Sequence, residues 1–171
     1  PYYLLLTKDS NDNNICIFID KKIIKGYNYP RMIYIIYRFS DHLFNDTLFD
    51  GELLRNDERW CYIINNIQLY KTTNMMYENF EKKLQLINKI LEGEYIEDTL
   101  ISPCPIKLKK YYTYRETETF KQDIKTLTYD INGYFLSPIN QNHPTLYFQY
   151  QTHNHRSKVL PETNRVTNNN N

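Results

Sequence analysis

The chain has no alanine, and only four glycines and three cysteines among its 171 residues. The residues that are scarce have G+C-rich codons, whereas the abundant Asn, Ile, Lys and Tyr have A+T-rich ones. That bias reports an A+T-rich genome and says nothing of chemistry. Cys16, Cys61 and Cys104 are odd in number and far apart. This excludes a disulfide framework and a CxxC zinc site, and it fits reduced intracellular thiols. Long apolar runs are missing, so neither a membrane-spanning helix nor a signal peptide is read. Neither sign of charge is in excess, with 21 Lys+Arg against 20 Asp+Glu. No global field therefore recruits nucleic acid, and any such contact needs a local groove. What is present is enough to fold: 41% of residues are apolar and 15% aromatic, with 17 tyrosines, as expected for one ordinary domain with a real core.

Apolar strands are expected at Tyr2 to Thr7 and Ile15 to Asp20, joined by the turn-rich SNDNN of Ser10 to Asn14. A short third strand is expected at Ile23 to Tyr29, then β-branched and aromatic strands at Arg31 to Phe39, Leu48 to Leu54 and Trp60 to Tyr70. This first half reads as an antiparallel meander. The period then changes. Phe80, Leu84, Ile87 and Leu91 recur at helical spacing within Tyr77 to Leu91, with Glu81, Lys82, Lys83 and Lys89 off that stripe and Gly93 as a stop. A strand at Ile106 to Tyr112, a second helix at Thr117 to Leu127, and strands at Asn132 to Leu136 and Thr145 to Gln149 follow. The expected class is α+β, antiparallel sheets flanked by helices. Residues 1–166 form the expected domain and 167–171 a polar, Asn-rich tail.

TLFDGELL, Thr47 to Leu54, places Asp50-Gly51-Glu52 inside an otherwise apolar strand. Two carboxylates around a glycine serve phosphate and metal chemistry more readily than they serve a core. DGE alone also marks ordinary turns. The stretches that follow it are CYIINNIQL (Cys61 to Leu69), an amphipathic helix, IKLKKYY (Ile106 to Tyr112), YDINGYFLSPI (Tyr129 to Ile139) and SKVLPETNRV (Ser157 to Val166). In order and spacing this series resembles the mRNA-capping guanylyltransferases, relatives of the ATP-dependent DNA ligases among the covalent nucleotidyltransferases.

The resemblance implies the nucleotidyltransferase fold and a two-step reaction: a lysine amine attacks the α-phosphate of GTP, pyrophosphate leaves, and GMP passes to an RNA 5′ diphosphate end. Mg²⁺ or Mn²⁺ would be the cofactor, held by oxygen ligands. Glu52 and Asp130 are the implied metal residues, and Lys21, Glu52 and Lys158 the implied nucleotide-binding ones. The family's KxDG nucleophile is absent, so it is expected upstream of Pro1 and the domain is expected to be N-terminally incomplete. Three further positions depart from the pattern: Asn66 and Asn132 replace acids, and Leu160 replaces a lysine. Asp to Asn keeps hydrogen bonding but removes the charge that a metal requires. Hence a second expectation stands beside the enzyme, a non-catalytic module that docks within a capping or transcription assembly. A polynucleotide ligase of the same superfamily is the third. Together with the codon bias, the resemblance implies an intracellular or virion protein of a large DNA virus or a similar A+T-rich element.

Two other features carry competing readings. Lys107, Lys109 and Tyr111 share one face of their strand, and Leu108, Lys110 and Tyr112 share the other. With Tyr114 they line either a phosphate or RNA groove or a solvated strand. The HNH string at His153 to His155, with His143 before it, lacks a CxxC or HExxH companion and is not read as a metal site.

Overall fold

The computed structural model describes residues 1–56, 59–126, 133–139 and 145–149. In chain order the strands are β1 (Tyr2–Lys8), β2 (Asn14–Asp20), β3 (Met32–Ile35), β4 (Arg38–Phe39), β5 (Thr47–Asn56), β6 (Arg59–Tyr70), β7 (Thr73–Asn74), β8 (Tyr95–Ile96), β9 (Ile106–Leu108), β10 (Gly133–Leu136) and β11 (Leu146–Gln149). The helices are α1 (Phe80–Gly93) and α2 (Thr117–Thr126), with 3₁₀ turns at Asp41–Phe44 and Tyr114–Glu116. The class is α+β. The domain limit expected near Val166, and the residues Asp130, Asn132, His143, His153, His155, Lys158 and Leu160, lie outside the described residues.

Two meanders share one sheet, in the order β3-β2-β1-β5-β6-β7. The chain closes the first meander at β3, then crosses over to start the second at β5, so Asp50 of β5 lies opposite Tyr3 of β1. The β1–β2 turn is held by Asp9, whose carboxylate accepts from the backbone N–H of Asn11 and Asn13 at 2.8 and 2.9 Å. β9 pairs with β6 in parallel, from Tyr62↔Ile106 to Ile64↔Leu108. The large sheet is therefore mixed, not antiparallel throughout.

Alternation sets the core. Leu4 and Leu6 of β1, Cys16 and Phe18 of β2, Phe49 of β5 and Tyr62, Ile64 and Ile67 of β6 are buried on one side, against Ile87 and Ile90 of α1. Tyr37, Phe39, Leu43 and Phe44 close the end of this core. Phe18 and Tyr62 pack ring to ring at 4.9 Å.

Several expectations are corrected. Ile23 to Tyr29 is not a strand: it forms turns around Gly26 (φ 95°), and its large side chains are exposed. Arg31 to Phe39 is two strands, because the chain breaks after Ile35 and β4 pairs with β8 instead. The strand after Pro105 stops at Leu108. Helix α1 begins at Phe80 and not at Tyr77, since Asn79 caps it by accepting from the N–H of Glu81 and Lys82. Of the Phe80-Leu84-Ile87-Leu91 stripe Ile87 is buried and Leu91 packs against the core, whereas the buried residues beside Ile87 are Lys83 and Ile90. Lys83 buries its stem, points its ammonium at the Met76 carbonyl 3.5 Å away, and is pushed down in pKa chiefly by burial.

Candidate functional site

The site grows from two irregularities in the β5–β6 ladder. Register shifts fall between Leu48 and Phe49 and between Asp50 and Gly51, where β6 carries Gln68 and Asn65 as residues with no partner opposite. A bulge re-aims a side chain, and here each bulge delivers an amide to a carboxylate. Asn65 Nδ2 donates to Glu52 Oε1 at 2.9 Å, and Gln68 Nε2 reaches Asp50 Oδ2 at 3.4 Å.

Each carboxylate also meets a lysine. Lys21, just past β2, pairs with Asp50, and its ammonium lies 4.5 Å from the Tyr3 ring centroid. Lys109, just past β9, pairs with Glu52 at 3.2 Å and sits 5.0 Å from the Phe135 ring centroid. Tyr111 closes the group, donating its hydroxyl to the Asn65 carbonyl at 2.8 Å. Burial, and then the charges of Asp50 and Glu52, push the Tyr111 phenol well up, so it stays a neutral donor.

Gly51 is what lets β5 lie this close to β6. A Cβ there would stand 2.4 Å from the Ile63 carbonyl oxygen and 2.7 Å from the Tyr62 ring end and hydroxyl. Tyr62 is fully buried and donates its hydroxyl to the Tyr2 carbonyl at 3.1 Å. The glycine between the carboxylates thus answers to packing space and not to an unusual φ.

Lys21 and Glu52, both expected from the sequence, stand on this face, each holding an opposite charge. Asn66 does not reach the carboxylates: its Oδ1 accepts from the neighbouring Ile67 N–H at 2.8 Å. Asn65 and Gln68 do reach them, and sequence reasoning missed both, because only the bulges distinguish them from their neighbours. The basic-aromatic stretch divides as its alternation requires. Lys109 and Tyr111 face the carboxylates, whereas Lys110 and Tyr112 both bind Asp123 of α2. Lys107 and Tyr114 are exposed and join neither group. A shallow open depression of about 410 Å³, lined by Thr7, Lys8, Asp46 and Lys71 among others, lies at the opposite end of β1.

Of the two implied metal residues Glu52 is described, and Asp130 lies outside the described residues. Among the described residues no three His, Cys, Asp or Glu gather as a metal site. Both carboxylates already have an ammonium counter-charge, with which a cation would compete. What is left open is an acceptor: Asn65 Oδ1 is buried, and among the described residues it has no hydrogen-bond partner. Such an atom calls for a donor from a ligand or water.

Burial alone raises the Glu52 carboxyl, but the Asn65 hydrogen bond and the Lys109 charge outweigh it and hold the group below its ordinary 4.5. A depressed carboxyl stabilises the fold fully above its ordinary value, and loses that effect as pH falls through the lowered one. Glu52→Gln is therefore expected to cost less than about 1 kcal/mol at neutral pH, because the pair is part-exposed. The gap from wild type should close as pH falls from neutral through the lowered Glu52 value, below 4.5. Urea titrations of both proteins at neutral pH and at a pH well below the ordinary carboxylate range check this; a constant gap would show that the charge is not the cause.

All three cysteines are free thiols, with Cys16 and Cys104 buried. Among the described residues no helix is long and apolar enough to cross a membrane. No protein-family model matches the chain, and no curated protein matches it significantly.

Proposed function

We propose that this face binds a nucleoside triphosphate, in a nucleotidyltransferase-like domain of the mRNA-capping guanylyltransferase type. One observation carries the reading. Three separated stretches of the resemblance, around Lys21, Asp50-Gly51-Glu52 and Lys109, supply side chains to a single sheet face, beside the unpartnered acceptor of Asn65. Lysines answer phosphate oxygens, while a carboxylate and an amide oxygen accept from ribose hydroxyls or a base N–H. For the full reaction, a lysine nitrogen attacks the α-phosphorus of GTP, the P–N bond forms, and the bond to pyrophosphate breaks. The β-phosphate oxygen of an RNA diphosphate end then displaces the lysine. The resemblance assigns that lysine to a KxDG motif upstream of Pro1.

The second reading is a non-catalytic docking module within a capping or transcription assembly. It is favoured by the carboxylates being neutralised from within and by the uncharged Asn66. A single experiment separates the readings. The longest natural form of the protein is incubated with α-labelled GTP or ATP in buffer containing Mg²⁺ or Mn²⁺, denatured, and examined for protein-bound label. Acid-labile, alkali-stable label from GTP is the expected result. Label from ATP alone moves the protein to the ligases. Reversible GTP binding without label leaves the docking module, and no binding of either nucleotide overturns the site.

A further inference from the structure

Among the described residues the strand at the other end of the sheet has an unpaired edge, and its chemistry is one-sided. Between Lys21 and Arg38 the chain carries five cations and no acid. Lys21, Arg31 and Arg38 are answered by Asp50, Asp20 and Asp98. Among the described residues Lys22 and Lys25 make no ion pair. Around them Ile24, Tyr27, Tyr29, Met32, Tyr34 and Ile36 are 55 to 77% exposed. Isolated exposed apolar residues need no explanation, but a run of this density does.

Among the described residues β3 ends the sheet, with β2 on its only paired side. The Asp20 N–H donates to the Arg31 carbonyl at 2.9 Å, which makes Asp20 and Arg31 a hydrogen-bonded pair. Hydrogen-bonded pairs alternate along an antiparallel ladder. Phe18↔Ile33 and Cys16↔Ile35 are then the bonded pairs, and the backbone N–H and C=O of Met32 and Tyr34 point outward.

We propose that β3 is a docking edge for an extended, acidic and apolar segment of a partner protein, added to the sheet as an antiparallel or parallel strand. The outward groups of Met32 and Tyr34 would supply the backbone pairing, and Lys22 and Lys25 the charge selection. Two other occupants fit less well. A second copy would bring two five-cation segments together. The chain's own residues after Gln149 hold Arg156, Lys158 and Arg165 against the single acid Glu162, so they offer no complement. Single-stranded RNA would use the lysines and tyrosines but not the aliphatic side chains or the open backbone edge. The inference is independent of the nucleotide reading.

The test uses a fluorescein-labelled, end-blocked octapeptide of alternating Glu and Val, read by anisotropy against the whole chain. Saturable binding is expected, weakened at least about tenfold for a twin whose backbone amides are all N-methylated. A Lys-Val twin is expected not to bind. The double variant Lys22→Glu/Lys25→Glu, confirmed as folded by circular dichroism, should lose at least about tenfold in affinity. The proposal is overturned by equal binding of the N-methylated twin, by no binding of the Glu-Val peptide, or by a dimer in size-exclusion chromatography that Lys22→Glu/Lys25→Glu alters. Binding of oligouridylate but not peptide, lost in the same variant, would reassign the edge to RNA.

Discussion

Gly51→Ala is expected to lower the free energy of unfolding by about 3 kcal/mol, at the upper end of ordinary overpacking. The added methyl would fall 2.4 Å from the Ile63 carbonyl oxygen and 2.7 Å from the Tyr62 ring end. Neither neighbour is a flexible tip. The Ile63 carbonyl belongs to the backbone of β6, and Tyr62 is locked between Phe18 and the Tyr2 carbonyl. β5 must therefore move away from β6 at the second bulge, which is where Asp50 and Glu52 are anchored. The same variant should weaken the Lys109–Glu52 pair. Urea denaturation checks the first effect as a lower midpoint with an unchanged slope. A midpoint equal to wild type would mean that β5 and β6 are not this close.

Lys21→Ala/Lys109→Ala is expected to weaken GTP binding about 100-fold, or about 2.7 kcal/mol. Each single substitution should account for about tenfold. The two lysines follow different strands and answer different carboxylates, so their effects are expected to add. Their loss leaves Asp50 and Glu52 as uncompensated negative charge on the face offered to a triphosphate. The effect should therefore exceed that of removing two neutral donors, and it should shrink as salt screens the repulsion. Titration with a fluorescent GTP analogue at two ionic strengths measures it. Unchanged affinity would place the phosphates elsewhere and remove the basis of the nucleotide reading.

The site was legible in part. Glu52 stood out because a carboxylate pair inside an apolar strand has no use in a core, whereas Lys21 was named only through the family resemblance. The alternation of Ile106 to Tyr112 separated Lys109 and Tyr111 from Lys110 and Tyr112, and the structure keeps that division although the strand itself ends at Leu108. Asn65, next to the degenerate position Asn66, was not singled out. Whether Asn65 or Asn66 faces Glu52 depends on where the ladder slips, and no local pattern encodes that.

The sequence by itself determined the elements whose stability is local: the β1–β2 hairpin with its Asp9 turn, the long apolar runs of β5 and β6, and the two helices with their periodic faces. It could not distinguish Ile23 to Tyr29, equally rich in β-branched and aromatic residues, from a strand, because strand propensity measures fit to a partner and this segment has none. The two-residue strands β4, β7 and β8, the parallel seat of β9, the burial of Lys83 and the meeting of Lys21 with Asp50 were decided only in three dimensions. Each depends on a neighbour far away in the chain, such as Glu52 and Lys109, 57 residues apart. Contacts at that separation form only once the intervening chain has folded, so their energy is a property of the assembled sheet and not of any one stretch of it.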